Sequence, residues 1–102
     1  MLELRPNCEL CDRDLPPGAP EARICSYECT FCASCVDEVL DNVCPNCGGG
    51  FQARPVRPAR AWREGTGLAN DPPGERRRHT AYSKDELTAF AAALRDVPPA
   101  ER

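Results

Sequence analysis

Residues 25–35 read CSYECTFCASC, four cysteines in eleven positions. Reading outward, Cys8-x2-Cys11 lies thirteen residues before Cys25, and Cys44-x2-Cys47 lies eight residues after Cys35. The full order is Cys8, Cys11, Cys25, Cys29, Cys32, Cys35, Cys44, Cys47, and no cysteine follows. A Cys-x2-Cys turn aims two sulfurs at one ion, and zinc takes four such ligands in a tetrahedron. Eight cysteines with no histidine among them make two four-sulfur sites. Such a site is closed, with no position for water or substrate, so its metal is structural. Spacing alone leaves three pairings open: interleaved, sequential (Cys8, Cys11, Cys25, Cys29 against the rest) or nested (Cys8, Cys11, Cys44, Cys47 around the rest).

Disulfides are the first rival. They belong to secreted chains, because cytosolic thiols are kept reduced. MLELRPNCEL has neither the basic start nor the apolar run of a signal peptide, and no apolar stretch approaches a membrane span. The chain is therefore read as soluble and cytoplasmic. Iron is the second rival. Cys25-x3-Cys29-x-Phe31-Cys32 spells the pattern that holds an iron–sulfur cluster in radical enzymes. That chemistry needs a barrel of about 200 residues or more, and it leaves five cysteines unexplained. Cys44-Pro-Asn-Cys47-Gly48 also suits a rubredoxin-type iron knuckle; Gly48 is read as a positive-φ turn that aims amides at sulfur.

Charge divides the 102 residues. Residues 1–50 carry nine acids and three arginines, formally −6; residues 51–82 carry seven arginines and three acids, formally +4; residues 83–102 are formally −1. Eight thiolates less two divalent ions take the cysteine half to about −10. Such a domain repels a phosphate backbone, so nucleic acid is not the expected partner, and only the arginines could bind it.

Some fifty residues bury too little apolar surface to fold reliably alone. A structural zinc site supplies roughly 10–16 kcal/mol of folding free energy. Val36, Val39, Leu40 and Val43 fall at i, i+3, i+4 and i+7, the stripe of a short helix, with Asp37, Glu38 and Asp41 facing water. Residues around Cys25 suggest a β-hairpin, and DLPPGAPEA a stiff surface loop.

Residues 59–82 read as a Pro/Gly/Arg-rich linker. Arg54, Arg57, Arg60 and Arg63 recur every three residues and would share one face of a polyproline-like helix. The favoured reading is a linker lying against the acidic cysteine half. His79 is read as an exposed side chain, and Trp62 as either packed back on the cysteine half or a partner anchor. Residues 83–102 hold an amphipathic helix and tail. Ser83 and Glu86 form a capping box, Leu87, Phe90, Ala91 and Leu94 a stripe, and Pro98 and Pro99 a stop. Its apolar stripe must meet the cysteine half, a second copy or another protein.

The ligand order, hairpin, helix and closing Cys-Pro-x-Cys resemble a RING-type zinc domain. ECTFCASC is similar to the family's GH-x-FC-x-x-C segment, with Cys29 where histidine is usual. The resemblance implies a small α+β, zinc-stabilised cross-brace over residues 1–58. One ion takes Cys8, Cys11, Cys32 and Cys35; the other takes Cys25, Cys29, Cys44 and Cys47; Phe31 packs between them. It also implies a ubiquitin-ligase-like adaptor, with Leu10 as an apolar carrier contact. Against that role stand Gly48, Gly49 and Gly50 where many ligases have a basic residue, and a helix with no tryptophan. Leu10 is better read as a cap on its knuckle. LELRPNCELCDRDLPP, ICSYECTFCASC, CPNCGG and RPVRP resemble, more closely, a family of small bacterial proteins of unknown function. It implies zinc binding and no established activity. The sequence as a whole is read as a non-enzymatic protein-interaction module with an unidentified protein partner.

Overall fold

The computed structural model describes residues 1–102. Strand β1 (Ala22–Ile24) turns back into β2 (Thr30–Cys32), with Ala22 opposite Cys32 and Ile24 opposite Thr30. Glu28 closes the hairpin with φ 68°, and its N–H donates to the Cys25 carbonyl. A third strand, β3 (Gln52–Ala53), adds antiparallel to the other edge of β1, giving the order β2-β1-β3. The molecule is a small α+β fold.

Directly after β2 comes one α-helical turn, α1 (Ala33–Cys35), which widens into a π-helical turn over Val36–Leu40. Asp41 and Asn42 both take left-handed conformations and end it. Val43 is buried but lies past that end, so the expected four-residue stripe is only partly helical. The left-handed pair redirects the chain toward Cys44. The Asn42 carboxamide then accepts from the Phe51 N–H at 2.9 Å. Phe51 meets Phe31 edge-on, with ring centroids 5.5 Å apart. Phe31 is fully buried and lies between Cys29 and Cys32 in the chain, next to Thr30; Leu15, Leu40 and Leu87 belong to the same core.

Helix α2 (Lys84–Leu94) begins at a complete capping box between Ser83 and Glu86. Its stripe meets the cysteine half of its own chain. Leu87 and Ala91 are buried, and α2 packs against the π-helical turn. Gly48 sits beneath it with φ +80°; a Cβ there would lie 3.3 Å from Leu94 Cδ1. A short 3-10 turn (Pro99–Glu101) follows, and the Arg102 guanidinium donates to the carbonyls of Asn42 and Gly48.

Between the halves, residues 58–71 form a closed loop in which the Leu68 N–H bonds to the Pro58 carbonyl. Gly67 packs so tightly on the Arg60 carbonyl that a Cβ would approach within 2.6 Å. Trp62 stands on this loop 71% exposed, so it does not pack back on the cysteine half. The four arginines do not share a face. Arg54 is buried and donates to the carbonyls of Arg5, Leu15 and Pro16, while Arg57 donates to those of Leu2 and Asp71. Arg60 and Arg63 stay exposed. Residues 74–80 run back along residues 3–14.

Candidate metal centre

The first knuckle, Cys8 to Cys11, is a turn closed by the Asp12 N–H on the Cys8 carbonyl, with Asp12 at φ 65°. The Cys11 N–H points at the Cys8 sulfur at 3.5 Å. Cys32 ends β2 and Cys35 ends the helical turn beside it, so strand and helix together deliver two more sulfurs. The four sulfurs of Cys8, Cys11, Cys32 and Cys35 all lie within 4.8 Å of one another, and those of Cys11 and Cys32 are 3.7 Å apart. The first cysteine pair of the chain thus meets the third, as an interleaved pairing requires; a sequential or nested pairing would join it to others.

The second group forms where the hairpin meets the last knuckle. Sulfurs of Cys25, Cys44 and Cys47 lie within 4.8 Å of one another. Cys29 is outside this mutual trio, but its thiol is electrostatically linked to it, being lowered by Cys44 and Cys25. N–H groups serve this group too: that of Tyr27 reaches the Cys25 sulfur at 3.3 Å and that of Gly49 the Cys47 sulfur at 3.4 Å. The positive φ of Gly48 makes the latter turn.

All eight cysteines are free thiols. Within each group protons are shared unequally. The hydrogen bond from Cys44 pulls Cys29 down to about 5, with help from Asn46, Cys25 and the Arg5 cation against burial. Cys44 is driven far up by the same bond and by burial, and burial raises Cys25 to about 11. Burial likewise pushes Cys8 and Cys35 up. It works the same way on Cys11, where the Arg13 N–H and the neighbouring sulfurs outweigh it and bring that thiol below its ordinary value. Crowded sulfurs that cannot all carry a negative charge are a donor set that a divalent cation could complete, holding every one as thiolate. The observed N–H···S contacts suit thiolates, and the groups fit a soft tetrahedral ion.

Polar groups that carry no signal in the cysteine pattern brace this centre. Glu9, inside the first knuckle and 4% exposed, accepts from the Thr30 N–H at 2.6 Å and from Arg5 Nη1 at 2.9 Å. Arg5 is thereby held on a buried carboxylate, and its charge also acts on Cys29. Asn46, between Cys44 and Cys47, helps to lower the Cys29 thiol. Its position inside a knuckle was the one sequence cue for it. His79 is exposed, with its ring Nδ1 2.8 Å from the Thr80 carbonyl. Leu10 is half-buried and packs on the core.

Residues 1–57 match the family model described as Protein of unknown function (DUF1272). This chain belongs to the DUF1272 family. An uncharacterized protein of Rhizobium meliloti (strain 1021) is 64% identical over 59 residues, which span 58% of this chain and 70% of that protein. No solved structure matches. Every cysteine of both groups lies in the DUF1272 part; α2 and the segment that leads to it lie beyond residue 57.

Proposed function

We propose that this DUF1272 chain is a non-catalytic protein-interaction module folded around two zinc ions. One ion is held by Cys8, Cys11, Cys32 and Cys35, the other by Cys25, Cys29, Cys44 and Cys47. The observation that carries the reading is the first quartet: four sulfurs from separate elements, mutually within 4.8 Å, with an amide aimed at one of them. Zinc suits four thiolates without demanding any geometry but the tetrahedron they already approach. Bound in closed cages, it supplies folding energy to a domain whose apolar core is small.

Several features favour an interaction role over catalysis or nucleic-acid binding. Four thiolates saturate a zinc ion and leave no coordination position for substrate. Arg54, Arg57, Arg77 and Arg78 are engaged by the chain's own carbonyls and carboxylates, which lowers the charge available to phosphates. Leu10 serves as a knuckle cap through its packing on the core, which weakens the carrier-contact reading. Free thiols in this number suit a reducing compartment, and the cytoplasm is the proposed location. No helix is long and apolar enough to cross a membrane.

Elemental analysis with native mass spectrometry tests the metal reading. Two zinc ions per chain in a colourless protein is the expected result. Visible absorbance from bound iron, or a chain that stays folded metal-free in strong chelator, overturns it.

A further inference from the structure

Residues 74–80, GERRRHT, lie in an extended course over the first knuckle. Both ends of this strap are held by backbone bonds: the Gly74 N–H donates to the Leu4 carbonyl at 2.9 Å, and the Thr80 N–H to the Glu9 carbonyl at 2.7 Å. Midway, the fully buried Asn7 side chain grips one residue from both sides. Its Nδ2 donates to the Arg78 carbonyl at 2.8 Å, and its Oδ1 accepts from the Arg78 N–H at 3.2 Å. Asp12 Oδ1 accepts from the same Nδ2 and sets the carboxamide's direction.

Main-chain bonds of this kind read an extended backbone and ignore its side chains, whereas carboxylates supply the choice of residue. Here Arg77 reaches the Asp12 carboxylate and carbonyl and the Asp14 carboxylate, at 2.6–2.9 Å through its terminal nitrogens. Arg78 reaches the Glu3 carboxylate at 2.9 Å. The groove residues lie within residues 1–57, the part that defines the family; the strap does not.

We infer that this face is a docking groove for an extended protein segment bearing two adjacent arginines, held shut in this chain by its own copy of the ligand. The strap's ion pairs are the displaceable kind: those of Arg77 are solvent-exposed and screened by salt. A partner carrying an Arg-Arg strand competes with a tethered segment whose effective concentration is on the order of millimolar. The inference rests on the interaction-module reading and names the chemistry of its partner.

The test uses the full chain. Arg77→Glu/Arg78→Glu sets like charges against Asp12, Asp14 and Glu3 and opens the strap. A labelled peptide spanning residues 72–82 then binds the variant roughly 10- to 100-fold tighter than it binds the wild type, by fluorescence anisotropy. Adding Asp12→Asn/Asp14→Asn abolishes the gain. In the unaltered protein, excess peptide speeds hydrogen exchange at the Gly74, Arg78 and Thr80 amides. Equal peptide binding by variant and wild type, equal binding of a peptide with glutamates for arginines, or unchanged exchange in the wild type overturns the groove. Native mass spectra of the same samples separate the two readings. Two ions bound without peptide capture sink the groove alone; a chain without metal sinks the module and the groove with it.

Discussion

The sulfurs of Cys11 and Cys32 lie 3.7 Å apart, although 21 positions separate them in the chain. One belongs to a turn before the sheet, the other to the last residue of β2. Their approach ties the N-terminal segment to the hairpin. Cys11→Ser and Cys32→Ser are each expected to cut bound metal from two ions to one, measured by native mass spectrometry. The buried Cys32 variant loses more secondary structure by circular dichroism than the exposed Cys11 variant.

Arg54 is a second long-range tie. Its guanidinium bridges the Arg5, Leu15 and Pro16 carbonyls with no carboxylate in contact, and its Nε finds no acceptor. Burial pulls its pKa below the usual arginine value, with the Glu21 charge opposing. Arg54→Ala strands these carbonyls and is expected to cost about 3 kcal/mol in urea unfolding. Arg54→Lys recovers less than half, because an ammonium lacks the planar fork that spans three acceptors.

Glu3 gives a pH signature. The hydrogen bond from Arg5, aided by the Arg78 charge, holds its carboxyl below the ordinary 4.5 against some desolvation. A depressed folded pKa contributes stability above the unfolded value and loses it as pH falls through the folded one. Wild type is therefore more stable than Glu3→Gln near neutrality. The gap in urea midpoint narrows below pH 4.5 and closes under the folded pKa, a course read by paired titrations.

Ser83 accepts from the Glu86 N–H at 3.2 Å, and the Glu86 carboxylate accepts from the Ser83 N–H at 3.0 Å. Ser83→Ala is expected to cost about 1 kcal/mol, confined to α2. Hydrogen exchange should quicken at the first helical amides and leave those of β1 and β2 unchanged.

The capping box of α2 and the β-hairpin were legible because each is written within a few neighbouring residues. So was the closeness of sulfurs within the Cys8–Cys11, Cys32–Cys35 and Cys44–Cys47 turns. The π-helical widening was not, since the i, i+3, i+4 stripe is the same for either winding until Asp41 and Asn42 turn left-handed. Nor was β3, two exposed residues with no alternation to betray them. Arg54 and Arg57 looked like one basic face because their spacing is regular. Which arginine turns inward depends on carbonyls up to 55 positions away.

Residue order was enough to set the chemistry: eight thiols paired at ligand spacing, an acidic cysteine half, a capped helix and its apolar stripe. These follow from covalent reach and local periodicity, which neighbours cannot revise. It took folding in three dimensions to bring the first and third cysteine pairs together, to close α2 over Gly48 and to lay GERRRHT across the first knuckle. Each of those joins groups far apart in the chain. Many pairings would satisfy the same spacing and charge, and the choice among them falls to packing volume and to buried polar groups finding partners.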